Sequence, residues 1–438
     1  MYLSTVVCLA LAVVYLLWRV ASRHRHLPPG PSGLPIIGNA LQMPTRNEWV
    51  VFADLAKKHG DIMHLSALGN SIILLTSRQA ISDLLEKRGH IYSDRPIMPM
   101  ASEMIGYSRF TVLCPYGTIL KESRKLIGGT INARNAPQLQ RVIETKIPQL
   151  LSRLLASPSD FRPHLRWYGH HHRHESAPDL RPIAYSLVAS IVLQITHGRD
   201  ISDSSDPLVQ LAELVNAQFS ATATPGKFLV DVFPFLRYVP EWLPGTGFKV
   251  LAKEARHSLE RLLDEPYHEV KEQLARGTAV PSFTSDIIEK DPNPSPEELF
   301  INKMTSTQFY VAGADTTVSA LESMFLVLAL YPEVQRKAQA EVDAALGSNQ
   351  LPKFSDHDSL PYVTALVKEI HRWRPVLPLA LPHMAMQDDT YDGYHIPKAP
   401  RSLQIHGTPA DNCSTNAEDM SWTGQFCTTR LSTRIPSR

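Results

Sequence analysis

The chain has 438 residues, 43% of them hydrophobic and 20% charged, with 44 basic against 43 acidic side chains. This is the composition of an ordinary globular chain with a sizeable core, and its near-neutral balance argues against nucleic acid or another polyanion as partner. The cysteines, Cys8, Cys114, Cys413 and Cys427, show no Cys-x-x-Cys spacing. That argues against a disulfide framework or a zinc site and fits a reducing compartment.

The first element is an anchor. Residues 2–18, YLSTVVCLALAVVYLLW, carry no charge and are followed by Arg19, Arg23 and Arg25. The run is near the lower limit for a bilayer span, about 17 residues. Its cationic flank places the body of the chain on the cytoplasmic side. A cleaved signal peptide is the alternative. It is disfavoured because no positive charge precedes the run and no small-residue cleavage site precedes the arginines. Residues 19–39 are basic and then Pro-rich. Their end, LPPGPSGLPIIGN (27–39), reads as a stiff extended hinge, because each proline fixes φ and disfavours helix before it.

The body spans 40–398. Residues 47–60 and 78–88 have helical patterns, and 61–76 read as a hairpin with Gly69-Asn70 at its turn. From about 205 to 275 the pattern is again helical, broken by VFPFLRYVPEWLPGTGF (232–248). That stretch is too broken for a helix and too apolar for a plain loop, and it predicts a surface that meets membrane or an apolar ligand. Ser295, Pro296 and Glu298 form a capping box with proline at the first helical position. They open a helix running to about Leu330, where Tyr331-Pro332 stops it. About 30 residues at 1.5 Å each make it roughly 45–50 Å long, enough to cross a domain. Two more helices lie beyond it, at 332–346 and around 359–373.

The middle of the long helix reads VAGADTT (311–317). Gly costs about 1 kcal/mol in a helix interior, and Asp and Thr prefer caps. An acid beside a hydroxyl in a distorted, buried helix segment is a candidate proton relay, Asp315 with Thr316. A kink with satisfied polar groups is the structural alternative. In the last helix, Glu369 and Arg372 are spaced i, i+3 and share a face.

Taken together, the Ala-Gly-x-Asp-Thr-Thr helix and the later Glu-x-x-Arg-x-x-Pro resemble the cytochrome P450 family. The N-terminal run with PPGPSGLPIIGN, YSDRP (92–96), PYG (115–117) and WRPVLPLALPH (373–383) belong to the same resemblance. It extends from Met1 to about Lys398, and its finer texture is similar to fungal microsomal members. The resemblance implies a mainly α fold with small β-sheets, one N-terminal transmembrane helix in the endoplasmic reticulum and a cytosolic body. It implies haem b, an NADPH–cytochrome P450 reductase as electron donor, and monooxygenation of an apolar small molecule. The substrate would be a secondary metabolite such as a terpenoid or polyketide, or an aromatic xenobiotic. By the same resemblance, Ala312 and Gly313 form the groove over the haem and Asp315 and Thr316 deliver protons. Arg124 and His383 fall where haem propionates bind, a role that suits an always-charged, forked guanidinium. Glu369 and Arg372 brace the core.

Three departures stand out. Leu120 occupies the place of a usual tryptophan, four residues before Arg124. Residues 168–177 look like an insertion carrying His170, His171, His172 and His174, read as a solvated loop with metal binding as the alternative. The tail 399–438 is Ser/Thr-rich, lacks periodicity and contains no Phe-x-x-Gly-x-Arg-x-Cys-x-Gly loop. In the family that cysteine's thiolate ligates iron. Cys413 and Cys427 lack the surrounding Gly and Arg, and Cys427 is the better of two poor candidates. The fold is therefore expected to be C-terminally incomplete, as after a change of reading frame or an altered splice. Two competing expectations arise: an inactive remnant unable to hold haem normally, or a non-catalytic, membrane-anchored binding protein.

Overall fold

A computed structural model describes residues 26–44, 47–156, 187–201, 206–224, 226–347, 350–398 and 404–407. The anchor 2–18 and its arginines, the histidine-rich 168–177, and Cys413 and Cys427 lie outside the described residues. Of those described, 26–96 with 377–407 form one unit and Ile97–Val376 form the other.

The first unit is built on a hairpin. Strand β1 (Ile62–Ala67) pairs antiparallel with β2 (Asn70–Leu75), and β5 (Gln404–Gly407) adds to β2 in parallel. Ala67 lies opposite Asn70, so the turn is Leu68-Gly69, one residue earlier than the sequence pattern predicts. Both turn residues have positive φ, 50° and 85°. That left-handed pair matches the twist of the flanking strands in a two-residue hairpin. Asn70 is thereby drawn into the ladder.

Both faces of the hairpin are covered, as the period of two requires for a sheet buried on both sides. Met63, Leu65, Ile72 and Leu74 pack against Phe52 and Ala56 of helix α1 (Glu48–His59). Ile62, Ile73 and Leu75 pack against Leu84, Tyr92, Ala385 and Ile396. The Pro-rich segment is seated on β1: His64 N–H donates to Pro29 O at 2.9 Å. A Cβ on Gly30 would come 1.9 Å from the His64 carbonyl oxygen, so only glycine fits there. A second hairpin, β3 (Asp389–Tyr391) with β4 (Tyr394–Ile396), is tied down by Asp389. Its carboxylate accepts from Arg88 at 2.7 Å and from the Tyr92 hydroxyl at 2.8 Å.

The second unit is helical. Its main helices are α2 (Thr118–Thr130), α3 (Ala136–Ala156), α4 (Leu187–His197), α5 (Pro207–Thr222), α6 (Gly247–Arg276), α7 (Phe283–Lys290), α8 (Pro296–Leu330), α9 (Pro332–Leu346) and α10 (Pro361–Trp373). The capping box at Ser295 is present, with the Ser295 hydroxyl accepting from Glu298 N–H and the Glu298 carboxylate accepting from Ser295 N–H. Proline stands at the first turn and Tyr331 ends the helix. The 35 residues of α8 span roughly 50 Å at 1.5 Å per residue. Among the described residues, α8 is the one helix long and apolar enough to cross a bilayer. Its Met304, Tyr310, Ala314 and Val318 belong to the main apolar cluster and Val327 to another, which makes it a core helix.

The end of α4 holds a buried titratable group. His197 Nδ1 pairs with the Thr196 hydroxyl at 2.8 Å, and Nε2 has no partner. Burial, and to a lesser degree the charge of Arg199, push its pKa down to about 4. The unfolded chain, with a histidine pKa near 6.5, therefore takes up the proton first. Stability is lost as pH falls from about 6.5 to about 4, by about 3 kcal/mol in all. Asp231, pushed up to about 6 by burial, acts in the opposite sense over an overlapping range. The His197 contribution is isolated by comparing two proteins. Relative to wild type, His197→Gln should gain roughly 2 kcal/mol between pH 7 and pH 5 in denaturant titrations. Parallel pH profiles for the two proteins would show that His197 does not titrate as its burial requires.

Candidate functional site

The composition of α8 changes along its length. The turns before its middle are enclosed although polar: Asn302, Thr305, Ser306, Thr307 and Gln308 are all at most 7% exposed. Ser306 donates to the Asn302 carbonyl at 2.9 Å, and Gln308 Oε1 accepts from Thr111 N–H at 3.1 Å. At the middle, Ala314 and Val318 remain buried, while Ala312, Thr316 and Thr317 are exposed. The helix thus keeps one side in the core and opens the other where the small and hydroxyl residues sit.

Gly313 packs beside a neighbouring helix. It faces α4, and a Cβ there would lie 3.4 Å from Val192 Cγ2. That is an ordinary van der Waals contact, so this crossing would also accept an alanine. The sequence pattern predicts a distorted, buried stretch with a groove at Gly313. The structure instead has an unbroken α-helix through 311–317, with Asp315 half-buried and Thr316 exposed. The Thr316 hydroxyl donates to the Ala312 carbonyl one turn back, at 2.7 Å. That back-bond satisfies the hydroxyl hydrogen inside the helix. Both lone pairs of the oxygen stay available to accept.

The other predicted residues are placed separately. Arg124 is exposed on α2, and among the described residues no carboxylate pairs with it. Leu120, where a tryptophan was expected, is 1% exposed and fills the buried side of the same helix. His383 belongs to the first unit, where its Nδ1–H donates to the Tyr92 carbonyl at 2.7 Å. That bond fixes the tautomer, so Nε2 can donate to a carboxylate only in the imidazolium form. Arg95 steadies the same segment through the carbonyls of Leu381 and Pro382, at 3.3 and 2.7 Å.

The far end of α8 is clamped. Val327, Val334, Tyr362, Leu366 and Ile370 form one apolar cluster joining α8, α9 and α10. Glu341 on α9 accepts from the Tyr362 and Val363 amides at 2.8 and 2.9 Å, capping α10 from outside. Glu369 and Arg372 form the predicted pair as a fork, at 2.8 and 2.6 Å. The glutamate side chain is 14% exposed and the arginine 34%, so the pair is half-buried.

The haem implied by the resemblance fits these residues in part. An exposed face of small residues on α8 and a free Arg124 suit a flat, anionic, mostly apolar group. An axial thiolate is not among the described residues. Their one free cysteine, Cys114, is buried with its thiol against the Pro115 carbonyl, and no three-member His, Cys, Asp or Glu group exists there. Two surface clefts, of about 240 and 400 Å³, lie at Arg109–Phe300–Lys303 and at Arg141–Lys146–Asp200. Neither includes Ala312 or Thr316. The polar run Thr305–Gln308 was not singled out from sequence. Its signal was four consecutive hydroxyl or amide side chains inside an otherwise apolar helix.

Known proteins resemble this chain over most of its length. A sequence profile described as cytochrome P450 matches residues 28–401. Cytochrome P450 monooxygenase 208 of Postia placenta is 40% identical over 392 residues, covering 89% of this chain and 72% of the relative. Cytochrome P450 monooxygenase claR of Ampulloclitocybe clavipes is 37% identical, over 90% of this chain and 70% of the relative. Tryptamine 4-monooxygenase of Psilocybe cyanescens is 37% identical, over 86% of this chain and 71% of the relative. The match begins inside the Pro-rich segment seated on β1 and stops within a few residues of Lys398.

The fork on α10 gives a stability prediction. Exposed pairs are worth about 0.2–1 kcal/mol, and breaking a buried pair costs about 3–5. With the glutamate nearly covered and the arginine a third exposed, Glu369→Ala or Arg372→Ala should each cost about 2 kcal/mol. Urea unfolding of the purified variants measures this, and wild-type midpoints in both would show the fork to be ornamental.

Proposed function

Because this chain belongs to the cytochrome P450 family, whose members are monooxygenases, we propose that its body oxidises an apolar small molecule held against the open face of α8. The observation that carries this is the exposed Ala312–Thr316 step on a core helix, with the Thr316 hydroxyl bonded to the Ala312 carbonyl. Asp315 stands beside it, half-buried, as the group that takes up and releases protons. In this relay Thr316 gives its own hydroxyl proton to the open side, and its Oγ1 is reprotonated from the Asp315 side. General acid–base help of this kind contributes typically about 10²–10⁴-fold.

When bound with a cysteine thiolate, haem supplies the cleavage of O₂ in this family. Were haem bound, Arg124 would hold a propionate by charge-assisted hydrogen bonds, and Ala312 would line the site. Electrons would come from NADPH through a membrane-bound reductase. The proposed substrate is a secondary metabolite such as a terpenoid or polyketide, or an aromatic xenobiotic.

A second reading concerns the chain as written. The family match stops at residue 401, and residues 402–438 contain no Cys within the Gly and Arg surround that a haem-thiolate loop needs. A cysteine without such surroundings keeps a pKa near 8.5 and is mostly protonated. We propose that residues 399–438 do not give this chain a normal haem-thiolate centre.

The reduced, CO-treated chain should therefore lack the red-shifted Soret band of a thiolate-ligated haem. A chimera carrying the corresponding tail of the Postia placenta relative in place of 399–438 should show it. A normal band from the unmodified chain, lost in Cys427→Ser, would overturn this. In the chimera, Thr316→Ala should lower product formed per NADPH by about tenfold or more. Unchanged coupling would remove Thr316 from proton handling.

Membrane attachment is proposed at two places. One is the uncharged run 2–18, placing the protein on the endoplasmic reticulum. The other is the segment between α5 and α6, where Leu229, Phe235, Tyr238 and Trp242 are 64–80% exposed beside Arg237 and Lys249. Such an aromatic and basic surface suits the bilayer interface. Deleting 2–18 should weaken vesicle co-sedimentation without abolishing it, and adding Phe235→Ser and Trp242→Ser should abolish it. Full sedimentation of the triple change would rule out the second contact.

A further inference from the structure

A cleft of about 240 Å³ lies where α6, the first turns of α8 and the turn Tyr107–Arg109 meet. Its apolar wall is Leu263, Leu299 and Phe300, of which Leu263 is buried. On α8 the lining positions 296, 299, 300 and 303 form one stripe of the helix. Lys303 and Ala312 are separated by about two and a half turns, so they point to opposite sides of α8. The cleft is therefore separate from the open face at Ala312 and Thr316.

Four charged side chains line the cleft, and two of them are already used. Lys303 Nζ meets Asp264 at 2.8 Å and lies 5.8 Å from the centre of the Tyr267 ring. Arg109 and Glu260 remain. Arg109 is half-buried, and its guanidinium stands over the Phe300 ring at 5.3 Å. Stacking of this kind uses the face of the guanidinium and leaves its N–H donors at the edge. Among the described residues no carboxylate or carbonyl takes any of them. Gly106, at φ 105°, sits against that group: a Cβ there would come 3.3 Å from Arg109 Nε. Glu260, one turn before Asp264 on α6, is exposed and likewise has no partner among the described residues.

A planar guanidinium with a free edge takes a carboxylate by two parallel hydrogen bonds. A simple anion would also meet the charge of Glu260, which opposes it. An ammonium on the same ligand, beside that glutamate, removes the conflict. The volume is below the about 300–1,000 Å³ of sites for drug-sized ligands, which limits the occupant to a small molecule. We infer that this cleft binds a small zwitterion, an amino acid with an apolar side chain. Its carboxylate lies on Arg109, its ammonium on Glu260 and its side chain against Leu299 and Phe300. The site is independent of the monooxygenase reading and of haem.

Equilibrium dialysis of the full chain tests this without turnover. L-Phenylalanine should bind about tenfold or more tightly than 3-phenylpropanoate, which lacks the ammonium, and than 2-phenylethylamine, which lacks the carboxylate. Arg109→Gln should weaken phenylalanine and phenylpropanoate together by about tenfold and leave the amine unchanged. Glu260→Gln should weaken phenylalanine and the amine while phenylpropanoate binds as well as before or better. Glu260 is exposed, so its replacement keeps the fold and this arm stands even where Arg109→Gln does not fold. Equal binding of the three probes, a preference for phenylpropanoate, no binding of phenylalanine at millimolar concentration, or unchanged phenylalanine binding in Glu260→Gln would overturn the inference.

Discussion

The packing of α8 against α4 is the constraint on which the helical unit depends. A 35-residue helix cannot be stabilised by its own propensity, because its sequence contains Gly, Asp and several Thr at the centre. Packing has to hold it. The 3.4 Å clearance between a hypothetical Gly313 Cβ and Val192 shows how near the two helices come. Ala314 and Val318 face the main cluster, while Ala312, Thr316 and Thr317 are exposed on the other side.

Both ends of α8 are fixed by means other than burial alone. The Ser295–Glu298 box satisfies two of the orphan amides at the N-terminus. At the other end Tyr331 closes the helix, meets Trp373 edge-on at 6.4 Å, and hands the chain to α9. Glu341 then caps α10 across the turn. This arrangement leaves the middle of α8 as the place where unsatisfied polar groups are tolerated, Thr305, Gln308 and Tyr310 among them. Strain and unpaired groups persist where the surrounding structure over-determines them.

The first unit uses the same logic on a smaller scale. Its hairpin is covered on both faces, and its periphery is bound by Asp389 and Arg95 rather than by further apolar area. Gly30 marks the close approach that lets the PPGPSG segment continue the sheet edge by hydrogen bonding to His64. An edge so covered is protected from pairing with another chain.

The sequence by itself determined whatever is encoded locally. The bounds of α8, α9 and α10 were legible because caps, Pro at the first turn and Tyr331-Pro332 act within a few residues of themselves. The hairpin within 61–76 and the Glu369–Arg372 fork were legible for the same reason, being defined by spacing along the chain. The tertiary structure decided what depends on neighbours far away in sequence. It placed the turn at Leu68-Gly69, since register is fixed by which residues the sheet buries. It gave Gly313 a packing partner in Val192 rather than a bend, turned the run 27–39 from a spacer into part of the sheet edge, and left Thr316 open beside a buried polar stripe. Each of these is a contact across tens to hundreds of residues, and no periodicity within a segment records which other segment will cover it.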